Sequence, residues 1–462
     1  MKNRRWLSLA LTMAMGTGML AGLPQVVAAE EAGAGEKVEG DLNIAVFQGG
    51  YGADYWYEVI DMFEEKYPDV TVNMTISPNV GEMIKPQIVA GNVPDFLSLN
   101  AGEASGVIDS MLKENALMDI TDVFEETLEG EEEPLKDMFI EGIVGSNVTS
   151  PYGDGKIYLA PFNSGPMGLV YNKALFEEKG WEVPTTWDEF LALGEVAKED
   201  TYKVGDEEVK GRALLAYPGI YPQYMRTFLF PAIVQEKGVD ALTAFCNYDS
   251  ESVVTDKAEE YLSYLIQLEE KGYLMEGTMG LNHTQAQTDM MLGKALFIPC
   301  GVWMENEMKD APREEGFEFG MIAAPVVNEG DTQYVASSYE QFSIPAKAKN
   351  PEAAKAFLKF LYSDESVKAF AKYSNTVYAL KDAKETCAEY LSEGMYNMLA
   401  AYDNAVALPT AFATLPQGCK IEVNNTLYHN HFTEVMQGTM SVKEYLESIQ
   451  KDFEEIQSDM EK

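Results

Sequence analysis

Apolar runs alternate with amphipathic segments over the first part of the chain. Residues 42–47, 70–76 and 94–99 form apolar runs that predict β-strands, and residues 55–66 and 81–90 between them predict helices. This strand–helix–strand–helix–strand order is typical of a parallel α/β lobe. Because ligands of such sheets bind beyond the carboxyl ends of the strands, the pattern predicts a binding site after the first and third strands.

Polar and aromatic residues follow these two strand ends. Gln48 and Tyr51 come after the first strand, and Asn100 and Glu103 come after the third. All four are candidate ligand contacts, although polar side chains at strand ends also stabilise turns. Trp56, at the start of the first helix, is a further candidate. One aromatic side chain of this loop is expected to face the ligand, while the others cap the lobe.

The length of the chain and three further extended stretches predict two lobes. A chain of 462 residues exceeds what one hydrophobic core usually organises. The stretches 158–163, 334–340 and 373–380 predict crossings between the lobes, and a helix is predicted over 350–370. Each lobe is therefore discontinuous in sequence. The predicted N-terminal lobe spans 41–158 and 337–376, and the predicted C-terminal lobe spans 159–336 and 377–462.

Residues 1–29 have the pattern of a secretory signal peptide. An apolar run at 7–23 follows basic residues, and small residues at 27–29 provide a cleavage site. Residues 30–40, rich in Glu, Ala and Gly, predict a disordered leader. Leu23 stands where a lipoprotein signal would carry its cysteine. We therefore expect export to the periplasm, the cell surface or the medium, without a lipobox cysteine.

The charge balance excludes several classes of partner. The chain carries 75 acidic and 34 basic residues, which give a formal net charge of −41. Such a surface repels nucleic acid and anionic lipid, and it disfavours acidic ligands. The acidic run at 125–133 is interpreted as a solvated surface loop. The four cysteines have no CxxC spacing and predict buried or free thiols.

Patterns for catalysis and metal binding are weak. The sequence has no GxSxG, HExxH or P-loop motif. His429 and His431 are two residues apart and His283 is alone, so packing or surface roles are favoured over zinc binding. We expect no metal and no cofactor. Because 75 acidic residues guarantee chance carboxylate pairs, a secreted glycosidase or lyase stays open as an alternative.

A composite pattern over residues 161–190 is the most specific feature of the chain. An apolar strand at 168–171 leads into a short helix at 173–179, which stops at a glycine. Thr186 and Glu189 then form a capping box that begins the next helix. In this order, the pieces resemble the signature of bacterial extracellular solute-binding proteins of the sugar-binding class, the receptors that feed ABC importers.

The resemblance extends over nearly the whole chain after the signal peptide. GVWMENEM at 301–308, together with KGWEVPTTWDEF at 179–190, is most similar to receptors for N-acetylglucosamine and chitin oligosaccharides. The resemblance implies an α/β, two-lobed periplasmic-binding-protein-like fold of the class II type, with discontinuous lobes joined by three hinge crossings. It also implies a monomeric, non-enzymatic receptor for a neutral mono- or oligosaccharide, with ABC permease subunits as partners. A peptide, a polyamine or a metal complex stays open as an alternative ligand.

The resemblance also implies site residues, since a sugar needs a flat aromatic surface for its C–H face and fixed polar groups for its hydroxyls. Trp303 stands where the family has a stacking aromatic residue, with a core role as the alternative. Asn163 lies on the first crossing and is expected to see both lobes. Trp181 and Trp187 are expected to be structural. Further candidates are Tyr221, Tyr224, Glu305 and Ser338.

Overall fold

Strands and helices alternate from Gly40 onward in the computed structural model, which describes residues 37–103, 105–415, 419–421 and 431–460. The strands are β1 (Gly40–Phe47), β2 (Val70–Ser77), β3 (Phe96–Ser98), β4 (Ala160–Asn172), β5 (Thr201–Val204), β6 (Glu207–Lys210), β7 (Ala213–Leu215), β8 (Ala295–Gly301), β9 (Phe319–Ile322), β10 (Tyr334–Ser343) and β11 (Val406–Pro409). The helices are α1 (Asp54–Lys66), α2 (Val80–Val89), α3 (Val107–Lys113), α4 (Thr121–Glu125), α5 (Lys173–Lys179), α6 (Trp187–Glu199), α7 (Arg226–Val234), α8 (Val239–Cys246), α9 (Asp256–Glu270), α10 (His283–Met291), α11 (Met304–Glu307), α12 (Pro351–Leu361), α13 (Asp364–Ser374), α14 (Ala383–Thr386), α15 (Glu393–Leu399), α16 (Ala401–Asn404), α17 (Phe432–Met436) and α18 (Val442–Met460).

The described part of the chain leaves out some of the predicted features. The predicted signal peptide, residues 30–36 of the predicted leader, and His429 lie outside the described residues. From Val38 onward the described residues fold as one unit. Within them, no helix combines the length and the apolar character that a membrane crossing requires.

The first three strands form the parallel α/β arrangement predicted from the sequence. β1 pairs in parallel with β2 on one side and with β3 on the other. The helices α1 and α2 provide the crossovers between them. α1 buries Tyr55, Trp56, Val59, Ile60 and Phe63, which recur at helical spacing and therefore pack on one side of the helix. The predicted order of these five elements is confirmed, with bounds shifted by one or two residues.

The long strand β4 lies in the middle of the sheet, and all 13 of its residues are buried. It pairs antiparallel with β10 on one side and with β8 and β9 on the other. The sequence predicts two extended pieces here, a crossing and a separate strand at 168–171, but the structure joins them into one. Gly168 permits the join, because a Cβ there would collide with the carbonyl oxygen of Ile322.

In the described part of the chain, nine strands form one mixed sheet. Seven follow the order β2-β1-β3-β10-β4-β8-β7, with β11 beside β10 and β9 beside β4. The parallel N-terminal strands thus reach β8 and β7 only through the antiparallel pair of β10 and β4. A third extended connection passes beside them, where Asn163 forms an isolated bridge with Tyr378. These are the three predicted crossings, and the precise lobe boundaries stay a prediction.

The segment that carries the composite pattern folds as the sequence predicts. α5 ends at Gly180, which adopts a left-handed conformation with φ of 64°. At the start of α6 the Glu189 N–H donates to Thr186 Oγ1 at 3.3 Å, and the Thr186 N–H donates to the Glu189 carboxylate at 3.1 Å. Trp187 is fully buried and stacks on Tyr264, so its predicted structural role is confirmed. Trp181 packs edge-on against Phe176, as a structural residue does.

Two smaller predictions have different outcomes. All four cysteines are free thiols, as predicted; Cys246, Cys300 and Cys387 are buried and Cys419 is partly buried. The single helix predicted over 350–370 is corrected to α12 and α13. The helix breaks because the Ser363 hydroxyl accepts the Ser366 N–H and caps a new helix.

Candidate functional site

The paired crossing strands β4 and β10 place polar side chains on both faces of the sheet. Ser338 lies opposite Gly165, and Tyr339 lies opposite Ser164. Directly opposed residues point to the same face, and successive residues alternate between faces. Asn163, Gly165 and Ser338 therefore share one face, and Ser164 and Tyr339 share the other.

A β-bulge on β4 lies opposite Glu340 of β10. Between the pairs Tyr339–Ser164 and Gln341–Pro161, the single residue Glu340 faces two residues of β4, Phe162 and Asn163, so β4 carries the extra residue. The backbone N–H of Glu340 donates to Oδ1 of Asn163 at 3.1 Å. The next N–H, that of Gln341, donates to Oδ1 of Asn100 at 2.9 Å. Bulges are common next to functional sites, and this one interrupts the regular alternation of β4 at Phe162 and Asn163, opposite Glu340.

At this point β10 is fastened to the loop that follows β3. Besides the hydrogen bond to Asn100, the Ala101 N–H donates to Oε1 of Gln341 at 3.2 Å. These contacts bring Glu103, on the same loop, within electrostatic reach of Glu340. The Glu103 carboxylate also accepts a hydrogen bond from the Ser105 hydroxyl. Two predicted site residues, Asn100 and Glu103, thus lie beside a carboxyl group that the sequence analysis did not select.

Burial makes both carboxyl groups harder to ionise, and the charge of Glu103 adds to this effect at Glu340. Burial, with the charge of Glu103 as a second cause, raises the pKa of Glu340 to about 7. Burial also raises the pKa of Glu103, against the hydrogen bond from Ser105 and the charge of Lys85, which lower it. Near neutral pH, Glu340 is therefore partly protonated and can either donate or accept a hydrogen bond.

Tyr51 approaches the same cluster from the loop that follows β1. Burial and the charge of Glu340 raise the pKa of its hydroxyl, while the neighbouring side chains of Thr376 and Asn163 lower it. Nδ2 of Asn163 and Oγ1 of Thr376 are buried, and among the described residues neither has a partner at hydrogen-bonding geometry. Buried polar atoms are rarely left unpaired, so these two donors call for an additional partner.

Trp303 follows β8 and meets the loop after β1. Its ring packs over Gly301, where it fills the space that a Cβ would occupy. Gly50 of the β1–α1 loop faces the Trp303 side chain, so residues from both ends of the sheet meet here. The Tyr224 hydroxyl hydrogen-bonds with Trp303 and with Cys300. Trp303 is half-buried, and its role as a stacking surface stays a prediction.

Trp56, Tyr224 and Glu305 make contacts within the protein, and their predicted roles as ligand contacts stay predictions. Trp56 is only 4% exposed, because its indole packs against Phe162 and Phe342 in the core. Tyr224 is 7% exposed and supports Trp303 from behind. The Glu305 carboxylate accepts hydrogen bonds from Asn375 Nδ2 at 3.2 Å and from Ser392 Oγ at 2.6 Å, and therefore fixes the turn after β8.

The remaining predicted site residues lie in two different places. Gln48 and Ser338 are half-buried, Gln48 at the end of β1 and Ser338 on the face that carries Asn163. Tyr221 is 36% exposed and packs edge-on against His283, whose Nε2 lies 3.2 Å from the Glu307 carboxylate. Tyr221 therefore belongs to a separate surface cluster and not to the group around Glu340.

Two residues of the cluster, Glu340 and Thr376, were missed by the sequence analysis. Both lie in predicted crossings, within 334–340 and 373–380, and a charged or hydroxyl side chain in such a buried connection is the signal that could have identified them. We call the group of Tyr51, Glu103, Asn163, Glu340 and Thr376 the crossing cluster.

The opposite face of the crossings carries a different feature. The Tyr402 hydroxyl hydrogen-bonds with Ser164 Oγ at 2.9 Å and donates to Ser337 Oγ at 2.9 Å, which ties β4 to β10. Burial raises the pKa of Tyr402 to about 12. A groove of about 650 Å³ beside Tyr402 is lined by Thr185, Val326 and residues of 330–333 and 402–406. None of the predicted site residues lines this groove.

Metal binding is not supported by the described residues. No group of three or more His, Cys, Asp or Glu side chains in this part of the chain could hold a metal ion. His283 pairs with Glu307, and Nδ1 of His431 lies 3.0 Å from the Glu434 carboxylate. Both contacts are ordinary packing or surface interactions.

Comparisons with known proteins agree on a family and a fold. A family model described as bacterial extracellular solute-binding protein matches residues 49–368. The diacetylchitobiose binding protein NgcE of Streptomyces coelicolor is 28% identical over 349 residues, which cover 73% of this chain and 69% of that protein.

Solved structures of the same class superpose on most of the chain. RafE from Streptococcus pneumoniae in its apo form has a TM-score of 0.66 at 19% identity, over 92% of this chain and 99% of that one. A chitin oligosaccharide binding protein has a TM-score of 0.63 at 22% identity, over 90% of this chain and 99% of that one. These likenesses confirm the predicted α/β, two-lobed periplasmic-binding-protein-like fold.

Proposed function

Because the chain belongs to the bacterial extracellular solute-binding protein family, we propose that it is an exported receptor that binds a neutral saccharide between its lobes. The bound saccharide is released unchanged to the permease subunits of an ABC importer. The receptor acts as a monomer and closes by hinge bending at the crossings, with lobes of 41–158 plus 337–376 and 159–336 plus 377–462.

The observation that carries this proposal is the crossing cluster. Nδ2 of Asn163 and Oγ1 of Thr376 are buried and unpaired among the described residues, and they lie beside the Tyr51 hydroxyl. Glu103 and Glu340 add carboxyl groups at the same place. A saccharide supplies many hydroxyl groups, each of which both donates and accepts, so it can satisfy all of these groups at once.

Trp303 supplies the apolar half of such a site. A sugar ring presents C–H groups on its faces, which pack on an indole surface, and Trp303 is half-buried beside the Gly50 loop. Micromolar binding requires about 8 kcal/mol. One stacked ring with several hydrogen bonds to partly buried groups can provide this, after the cost of closing the lobes.

The saccharide class that we propose is N-acetylglucosamine and its short oligomers. The similarity to a diacetylchitobiose binding protein and to a chitin oligosaccharide binding protein supports this choice. The cluster supports it too, since an acetamido group offers one donor for a carboxylate and one acceptor for the Asn163 amide.

Thermal unfolding with a panel of solutes tests the proposal. N-acetylglucosamine, N,N′-diacetylchitobiose, raffinose and maltotriose should be compared with a polyamine and a tripeptide. We expect N,N′-diacetylchitobiose to raise the melting temperature. At a concentration one hundred times Kd, the free energy of unfolding should increase by about 2.7 kcal/mol. Chromatography should detect no hydrolysis product. Product release would favour the glycosidase alternative, and stabilisation by the polyamine alone would contradict a saccharide receptor.

A further inference from the structure

Glu340 is held at the centre of the crossing cluster by its backbone. The N–H of Glu340 is fixed by Asn163, and the N–H of Gln341 is fixed by Asn100, with distances of 3.1 and 2.9 Å. At the register shift, Glu340 lies opposite two residues of β4, Phe162 and Asn163. The backbone of Glu340 is therefore fixed between Asn163 and the loop that carries Asn100 and Glu103.

Two loops bring the neighbouring ionisable groups to Glu340. Glu103 approaches from the loop after β3, with Asp109 and Lys85 behind it. Tyr51 approaches from the loop after β1, and its un-ionised hydroxyl brings no charge. The resulting charge balance at the cluster is negative, and burial together with Glu103 raises the pKa of Glu340 to about 7.

An uncharged ligand would make it less favourable for both Glu103 and Glu340 to be ionised. A saccharide that fills the site shields the two carboxylates further from solvent and brings no counter-charge. The buried amide of Asn163 and the Thr376 hydroxyl are neutral donors and cannot replace a cation. A proton on one carboxyl group removes the repulsion and creates a donor that can reach a saccharide oxygen.

We propose that closing on an uncharged saccharide loads one proton from solvent onto the Glu103–Glu340 pair, so that Glu340 meets the ligand as a neutral carboxylic acid and determines its specificity. This inference rests on the proposed function and deepens it. The empty receptor, with both carboxyl groups ionised, takes up one proton and one saccharide. It releases the proton and the saccharide when the lobes open.

The sign of the pH dependence follows from this balance. Below about pH 7 the empty pair already carries the proton, so the affinity is constant. Above that pH the proton must be bound together with the ligand, and the affinity falls by up to tenfold for each further pH unit. A site that bound the saccharide with both carboxylates ionised would show no such loss.

Isothermal titration calorimetry with N,N′-diacetylchitobiose tests the inference. Titrations between pH 6 and pH 8.5, each in two buffers of different ionisation enthalpy, give both Kd and the number of protons taken up. For the natural protein we expect uptake that rises from near zero at pH 6 toward one at pH 8.5, with Kd increasing about tenfold per pH unit at the alkaline end.

Two substitutions separate the roles of the carboxyl groups. Glu340→Gln supplies a permanent neutral donor, so its Kd should not change with pH and its proton uptake should vanish. Glu103→Gln removes the like charge, so the loss of affinity should begin at a lower pH than in the natural protein. Glu182→Gln, an exposed glutamate outside the cluster, is the matched control and should retain the natural pH profile.

The outcomes are distinct. A saccharide that binds with the same Kd and no proton uptake from pH 6 to pH 8.5 overturns the inference and leaves the receptor function intact. A Glu340→Gln variant that keeps the natural pH dependence overturns it as well. If no saccharide of the panel binds at any pH, the proposed function is overturned together with the inference.

Discussion

Trp303 is the residue whose predicted role is most directly testable. We expect Trp303→Ala to weaken saccharide binding by about 1–3 kcal/mol, because it removes the proposed stacking surface beside the Gly50 loop. Trp303→Phe keeps a ring but loses the hydrogen bond with Tyr224, so a smaller loss is expected. Calorimetry gives Kd, and the melting temperature reports stability.

The control for this experiment is Trp181→Ala. Trp181 packs against Phe176 at the surface of α5, away from the crossing cluster, so its replacement should lower stability and leave Kd unchanged. If Trp303→Ala instead lowers the melting temperature as much as it lowers affinity, Trp303 is a core residue, as the sequence analysis left open.

Replacement of Thr376 is expected to increase stability, in contrast to replacement of the tryptophans. Oγ1 of Thr376 is buried and unpaired among the described residues, so Thr376→Val should raise the free energy of unfolding of the empty protein by about 1 kcal/mol. The same change should weaken saccharide binding, since in the proposed site this hydroxyl hydrogen-bonds with the ligand. Urea unfolding and calorimetry measure the two effects.

Thr278 provides the matched substitution. Its hydroxyl donates to the Tyr217 carbonyl oxygen at 2.8 Å and accepts the Tyr217 N–H at 2.6 Å, so it is fully satisfied. Thr278→Val should therefore destabilise the protein and leave Kd unchanged. A loss of stability in Thr376→Val similar to that in Thr278→Val would show that the Thr376 hydroxyl already has a partner in the empty protein.

At the residue scale, the sequence predicts types of side chain better than their neighbours. Gln48, Asn100 and Glu103 follow from the rule of strand ends, and the structure does place Asn100 and Glu103 beside the crossings. The packing of Trp56 against Phe162 and Phe342 could not be predicted, because an aromatic residue at a helix start has the same local pattern whether it faces a cleft or the core. Glu340 could not be selected, since its position depends on the bulge in β4 and on the pairing of β10 with β4.

At the element scale, β4 depends on close backbone approach. A Cβ at Gly168 would meet the carbonyl oxygen of Ile322 on β9, which is backbone and cannot move without breaking the pairing. We therefore expect Gly168→Ala to destabilise the protein by about 1–3 kcal/mol or more. At Gly165 the nearest atom is a methyl carbon of the Val302 side chain and not backbone, so Gly165→Ala should cost less.

Thermal unfolding of the two alanine variants compares them directly. Because Gly165 shares the face of Asn163 and Ser338, its substitution should disturb ligand binding more than stability. Equal melting temperatures for the two variants would contradict the idea that backbone contact at β9, and not crowding in general, fixes β4.

Local signals in the sequence predict elements well where those signals are self-contained. The helix end at Gly180 and the capping box of Thr186 and Glu189 need only a few neighbouring residues, and both are present. The helix over 350–370 was predicted as one piece because its apolar spacing continues through Tyr362, and the Ser363 cap was overlooked. The two extended pieces predicted at 158–163 and 168–171 join into the single strand β4 through contacts with β9. Such contacts cannot be recognised from a local sequence pattern.

At the scale of the whole molecule, acidity makes stability depend on pH in two directions. Hydrogen bonds lower the pKa of Glu189, and hydrogen bonds together with nearby cations lower the pKa values of Asp119 and Asp200. The stability that these three carboxylates contribute is therefore lost as the pH falls through their lowered pKa values. Glu340 acts oppositely. Its folded pKa of about 7 lies above that of the unfolded chain, so the folded state binds more protons and stability falls as the pH rises toward 7.

The contribution of Glu340 is measured as a difference between two proteins. The free energy of unfolding of the natural protein should decrease relative to Glu340→Gln between about pH 5 and pH 7, by at most about 1.4 kcal/mol per pH unit. Urea unfolding of the empty proteins at several pH values gives both curves. Parallel curves would mean that Glu340 titrates as it does in the unfolded chain.

Hinge closure is the whole-molecule event on which the proposed receptor depends. A ligand shifts an open–closed equilibrium only if it binds the closed form more tightly, and the crossing cluster together with Trp303 provides contacts from both sides of the site. We expect small-angle X-ray scattering to show a smaller radius of gyration with saturating N,N′-diacetylchitobiose than without it. Trp303→Ala at the same saccharide concentration should shift less, because fewer molecules are bound. Calorimetry shows whether the protein is saturated with saccharide. If saturated protein and empty protein then have the same scattering profile, the saccharide binds without bringing the lobes together.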